Sequence, residues 1–262
     1  MSVAGIAGLL IDCPDPARMR DWYRRHLGIE FPDGDGARFF WREPDTGNPA
    51  ETRFDFVDGI PRPSTSAVPT ALVRYRVRGL EALVEALREG GDEATLLDER
   101  RGRVIDPEGR TVELLEAGAS PGRSVDPQHP ADHGRVRGVG GVFLRSPDPA
   151  ALKAWYGRLG IRPGPDGYVT FPATCLEGEE TVTVWEVFPL TTTYFDSGGE
   201  SSPHLFMLNL RIRDLDGLVA ALREDGVRVD PNTETYEYGK FAWIVDPTGA
   251  RVELWEPAPA SS

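Results

Sequence analysis

The chain has 262 residues, with 29 Lys or Arg against 42 Asp or Glu, a formal charge of −13. That length allows one large domain or two small ones, each able to bury a core. A hydrophobic share of 40% and a charged share of 27% exclude a collagen-like or fully disordered chain. So acidic a chain repels a phosphate backbone, and nucleic acid is not an expected partner. No apolar run approaches about 18 residues, so no membrane span is expected. Met1 to Leu10 lacks a basic start and its apolar run breaks at Asp12, which predicts no signal peptide. Cys13 and Cys175 are accordingly expected as reduced thiols of a cytoplasmic protein.

In chain order, the first helix signal is Asp15-Pro16, a cap followed by proline, leading to Trp22-Tyr23 and closing at Leu27-Gly28-Ile29. A second helix starts at Leu80, after Val77-Arg78-Gly79. The turn Asp106-Pro107-Glu108-Gly109 then leads into Val112-Glu113-Leu114. Ala117 to Gly134 is rich in Gly, Pro, Ser and His, lacks apolar periodicity and reads as a linker. Beyond it the same signals return. Val139 to Leu144 predicts a strand, and Asp148-Pro149 caps a helix carrying Leu152, Trp155, Tyr156 and Leu159 on one face and stopped by Gly160. Strands follow at 168–171, 181–188 and 205–213. Another helix then buries Leu215, Leu218, Val219 and Leu222 and stops at Gly226. Strands 239–245 and 251–255 flank Asp246-Pro247-Thr248-Gly249. Three ordered matches at nearly constant spacing identify a duplication.

These motifs, in this order in both halves, resemble the vicinal oxygen chelate superfamily, which includes glyoxalase I, bleomycin-resistance proteins and extradiol dioxygenases. The resemblance implies an α+β fold of two tandem domains, residues 1–118 and 135–258 with a linker at 119–134. Each domain would pair βαβββ modules into a half-open curved sheet.

The resemblance also implies where metal-using members hold their ion: one ligand on the first strand, one on the fifth and a Glu on the eighth. Counting seven residues back from the Asp after each strand gives Gly141 and Met207 with Glu253 in the second half. The same count, with Gly79 standing where the second Asp would be, gives Gly8 and Leu72 with Glu113 in the first. Each half keeps the Glu and lacks its partners, since Gly and Leu have no donor atom and Met suits only a soft metal. No cofactor is therefore expected. The alternative is a divalent metal on His204 and Glu253, although strand alternation turns His204 to the other face. His26 is expected against helix-terminal carbonyls, and His129 and His133 in the linker.

Glu253 is the candidate acid–base group, set against a bland role as a carboxylate held by Arg or backbone amides. Met207, Asn209 and Arg211 share a strand face, and Trp255 shares one with Glu253. Trp185, Tyr194, Tyr236, Tyr238 and Phe241 add candidate aromatic walls, while Arg74 is expected to pair with Glu113. The run 189–203 reads as a mobile lid over the second cup.

The expected function is recognition of a small, partly apolar organic molecule by a monomer or homodimer. The leading form is a metal-independent isomerase, lyase or cyclase of specialised metabolism. The alternatives are a non-catalytic, drug- or metabolite-sequestering protein, and a metal-dependent glyoxalase or dioxygenase with displaced ligands.

Overall fold

The computed structural model describes residues 2–32, 36–60, 70–118, 135–165, 167–176 and 178–259. The expected linker, with His129 and His133, lies outside them. The first half contains β1 (Ser2–Asp12), α1 (Pro16–Leu27), β2 (Ala37–Arg42), β3 (Pro49–Val57), β4 (Ala71–Arg78), α2 (Leu80–Glu89), β5 (Ala94–Asp98), β6 (Arg101–Ile105) and β7 (Thr111–Glu116). The second contains β8 (Val136–Ser146), α3 (Pro149–Arg158), β9 (Val169–Cys175), β10 (Glu180–Pro189), β11 (Phe206–Ile212), α4 (Leu215–Glu224), β12 (Glu234–Tyr236), β13 (Gly239–Val245) and β14 (Arg251–Pro257). No helix among the described residues is long and apolar enough to cross a membrane.

The strands form a single sheet in the order β12-β13-β14-β11-β8-β10-β9-β2-β3-β1-β4-β7-β6-β5. Each half contributes one contiguous block. Modules pair within a half, β1 against β4 and β8 against β11, both antiparallel. Among the described residues the strands of the two blocks pair at β2 and β9, through Trp41↔Cys175 and Arg42↔Thr174. The first module of the second half carries three strands around its helix rather than the expected four. Residues 190–205 follow an irregular path instead. The matching stretch of the first half, 61–69, lies outside the described residues.

The repeated motifs have local physical jobs. The carboxylates of Asp15 and Asp148 accept from Arg18 N and Ala151 N, each at 3.0 Å, satisfying the first turns of α1 and α3. Gly28 closes α1 at φ 68°. The glutamates that end β7 and β14 cap the other two helices. Glu116 accepts from Gly79 N and Leu80 N, and Glu256 from Leu215 N. Gly79 and Asp214 both take left-handed φ at those caps, 78° and 63°. Asp214 can do so because a short polar side chain tolerates that region.

The Asp-Pro-x-Gly turns and the Trp-Tyr helices join the halves. The buried Tyr23 hydroxyl donates to Asp246 Oδ2 at 3.3 Å, and that of Tyr156 to Asp106 Oδ2 at 3.4 Å. Each turn aspartate also collects backbone N–H groups of its own turn. His26 Nδ1 lies 3.2 Å from Asp225 Oδ2, so it pairs across the halves rather than with the end of its own helix. One apolar core spans both halves, from Leu9, Phe54 and Tyr75 to Tyr156, Leu210 and Leu254. Tyr23→Phe and Tyr156→Phe should each cost about 1 kcal/mol, the net worth of one hydrogen bond. Because the contacts are separate, the double variant should show the sum to within about 0.5 kcal/mol in urea melts. Strong coupling would show that the two turns do not act independently. Both thiols are free, and burial raises that of Cys13 to about 11, so it is not a reactive group.

Candidate functional site

Strand register places a level row of side chains across the second cup: Val184 on β10, Gly141 on β8, Asn209 on β11, Glu253 on β14 and Trp243 on β13. The first cup has the corresponding row Arg53, Gly8, Arg74, Glu113 and Arg103. In each, the residue beside the glutamate is a hydrogen-bond donor. Asn209 Nδ2 donates to Glu253 Oε1 at 2.5 Å, and Arg74 Nε to Glu113 Oε2 at 2.7 Å.

This corrects the seven-residue count on the fifth-type strands. The position level with the glutamate is Asn209 rather than Met207, and Arg74 rather than Leu72. Met207 lies one pleat along on the same face, packed with Phe143, Phe195 and Trp243.

Glu253 is 2% exposed. Its Oε2 accepts from Trp243 Nε1 at 2.9 Å and from the Tyr194 hydroxyl in a short contact. Burial pushes the carboxyl above its ordinary range, and the donors from Tyr194, Asn209 and Trp243 oppose that push. Burial, with Glu253 alongside, also raises Tyr194. Asn209 Oδ1 is buried without a partner.

Aromatic rings close over this row. Tyr194 stacks on Phe188 at 5.3 Å and meets Trp243 and Phe143 edge-on. Tyr194 comes from the irregular run expected as a mobile lid, which is instead a pinned strap. Arg145 donates to Ser202 O at 2.5 Å, to Thr192 O at 2.6 Å and to Asp196 Oδ1 at 3.0 Å. Its guanidinium also covers the Phe195 ring. Arg251 holds Tyr194 O at 2.6 Å, and Arg228 holds Ser197 O.

The other expected wall residues divide. Arg211 is buried one pleat from Asn209 and donates to Thr181 Oγ1 and Val182 O, and burial lowers it to about 10. Trp255 stacks on Phe241 at 6.1 Å, and Tyr236 and Tyr238 stack on each other at the exposed end of the same strip. Trp185 does not reach the cup. It packs on Tyr156 of α3, because alternation along β10 turns Val184 into the cup and Trp185 away. Trp243, Phe143, Phe188, Arg145 and Arg251 were missed as site residues. Parity with Phe241 was the available signal for Trp243.

The donor set does not fit a metal of the family's usual kind. Gly141 has no ligand atom, and a Cβ built there would meet the Phe143 ring at 3.0 Å and Val184 O at 3.1 Å. Asn209 turns its N–H toward the glutamate, and the matching position in the first cup is a cation. His204, the alternative ligand, lies against the Asp246 turn, where burial lowers its ring below the usual range. Its Nδ1 is unpartnered, and the side chains that hold Glu253 are Tyr194, Asn209 and Trp243. Among the described residues no group of three His, Cys, Asp or Glu side chains could hold a metal.

The family model of the Glyoxalase/Bleomycin resistance protein/Dioxygenase superfamily matches residues 5–254. The chain belongs to this superfamily. Among solved structures, a catechol 2,3-dioxygenase aligns at 18% identity and TM-score 0.59, covering 100% of this chain and 96% of that one. Homoprotocatechuate 2,3-dioxygenase from Arthrobacter globiformis aligns at 17% and 0.58, covering 97% and 80%. A Mn(II)-bound glyoxalase from Novosphingobium aromaticivorans aligns at 14% and 0.56, covering 97% and 82%. At these identities the likeness establishes the superfamily's fold and leaves the chemistry to the site. No curated protein matches the chain.

Proposed function

We propose that this superfamily member binds a small, partly apolar organic molecule in the Glu253 cup and acts on it by proton transfer rather than through a resident metal. The observation that carries this is the row Gly141–Asn209–Glu253, in which the first-strand position has no side chain and the fifth-strand amide donates to the glutamate. Glu253, raised by burial, holds its proton at higher pH than a free carboxyl and can supply it at Oε2. Asn209 and Trp243 fix the carboxyl plane. The Tyr194 phenol occupies the space above Oε2, where the reacting group of a ligand would lie once the strap yields. Phe143, Phe188 and Trp243 exclude water around it.

A metal-dependent dioxygenase or glyoxalase is the second reading, favoured by the names of the similar structures. Elemental mass spectrometry on protein purified without chelator separates the two. The expected result is well under one equivalent of Fe, Mn, Zn or Ni and no thermal stabilisation by added divalent ions. One equivalent, lost in Glu253→Ala, would establish the metal reading. A mass change in a bound ligand after incubation would distinguish the enzyme from a sequestering protein.

A further inference from the structure

The second cup is filled by its own side chains, whereas the first is open. A cavity of about 680 Å³ lies over the first cup, lined by Ala7 and Leu115 and by a concentration of charge unusual for a sheet interior. Arg53, Arg74 and Arg76 line it together with Glu51 and Glu113.

The carboxylates on this floor are already committed. Glu51 Oε2 accepts from Arg38 and its Oε1 from Arg53 at 2.7 Å, while Glu113 accepts from Arg74. Arg76 is left over. It is 7% exposed, its Nε is buried without a partner, and its Nη2 reaches only a backbone carbonyl, Glu51 O, at 3.2 Å. No carboxylate among the described residues lies within ion-pair distance of it. Its guanidinium carbon lies 5.8 Å from the centroid of the Trp41 ring.

Stability does not explain this arrangement. Glu43 and Glu51 lie near enough to oppose the burial of Arg76 but not enough to offset it, and a buried charge without a direct partner costs several kcal/mol. The duplicate half builds the level row from Val184, Asn209 and Trp243, so the fold does not require Arg53, Arg74 or Arg103 there. Arg211, which matches Arg76 in the second half, satisfies itself on Thr181 and Val182. Arg76 lines the cavity with its Nε donor unspent, and a planar guanidinium suits a carboxylate, which it can grip with two parallel N–H donors. With Asp98, Glu99, Arg100, Arg101 and Glu116 the lining holds as many carboxylates as arginines, and so balanced a lining suits a monoanion gripped by geometry better than a phosphate dianion drawn by charge.

We infer that the first cup is a binding site for a small organic monocarboxylate, with Arg76 on the floor as the residue that receives the carboxylate. The site is separate from the Glu253 cup and does not rest on the function proposed for it.

The test is a thermal-shift and calorimetric titration of the full chain with benzoate, phenylacetate and butyrate up to 20 mM. Benzamide and inorganic phosphate serve as controls. At least one carboxylate should raise the melting temperature saturably, benzamide should not, and phosphate should act more weakly. Arg76→Met should abolish the effect, weakening binding at least tenfold, and should melt no lower than wild type without ligand, because it removes a buried charge that Glu43 and Glu51 only partly offset. Arg211→Met should keep the response. If Arg76→Met fails to fold, Arg76→Lys is the second variant. It keeps the charge without the two-pronged geometry and should weaken benzoate by at least fivefold. The proposal is overturned if no carboxylate shifts the wild type, if benzamide acts as strongly as benzoate, if phosphate binds more tightly, or if the arginine variants respond unchanged.

Discussion

Replacing Arg145 with methionine should destabilise the protein by about 3–5 kcal/mol and should expose residues 190–203 to limited proteolysis. Arg145 is the post on which the strap hangs. Its buried guanidinium reaches strap acceptors at three positions, Thr192, Asp196 and Ser202, and lies on the face of Phe195. Methionine matches the aliphatic stem but leaves the Asp196 carboxylate without its cation and two carbonyls without their donor. The expected cost is that of breaking a buried pair by removing one partner. The strap carries Tyr194, so its release should also free Glu253 Oε2 and Trp243, whose indole donates to the same oxygen. Urea unfolding gives the energy, timed proteolysis locates the opening, and a red shift in tryptophan emission reports the cup. Full stability with unchanged cleavage would show that the strap is held by its aromatic packing alone, and Tyr194 would then be a fixed part of the cup.

The sequence made the duplication legible because its markers are local devices. An Asp-Pro cap, a Gly stop and an Asp-Pro-x-Gly turn each act over a few residues, and each is found where it was expected. Register was less legible. The seven-residue count works for Gly141 because β8 runs five residues past it to Ser146, with the cap two residues beyond. It fails for Asn209 because β11 runs only three residues past it to Ile212 before an equally short step to Asp214. The row is therefore set by how far each strand outruns its neighbour, which no motif encodes. Facing was misread at Trp185 for a related reason: aromatic content does not reveal parity, and one residue decides between the cup and the core beneath α3. The lid was misread because a polar, Gly- and Ser-rich composition signals irregular backbone and says nothing of what pins it. The Arg74–Glu113 pair was legible from parity alone and forms at 2.7 Å. The orphaned Arg76 beside it was not, since a lack of partners is visible only in three dimensions.

Glu253→Gln should be more stable than wild type at neutral pH, with the difference shrinking as pH falls. Burial raises the folded-state carboxyl above the ordinary value of 4.5, so the folded protein keeps a proton that the unfolded chain releases. As pH rises above 4.5 the unfolded state binds fewer protons than the folded one, and wild-type stability falls until the pH passes the folded value, where the loss levels off. Each unit of separation corresponds to about 1.4 kcal/mol. Glutamine carries no such penalty and fits the same donors. Its oxygen can accept from Tyr194 and Trp243, and its amide can donate to the unpartnered Asn209 Oδ1 if that amide flips. Asp246 is raised and His204 lowered by burial, so both add their own pH dependence, but both are present in each protein and cancel in the difference. Paired urea melts from pH 4 to pH 8 read the sign directly. A difference that grows with pH means that burial outweighs the three donors and that Glu253 is a proton donor in waiting. A flat difference, or one of opposite slope, means that the donors win and the carboxylate is ionised in the fold. The cup would then hold a fixed anion suited to accepting a proton, and the acid role proposed for Glu253 would have to be abandoned.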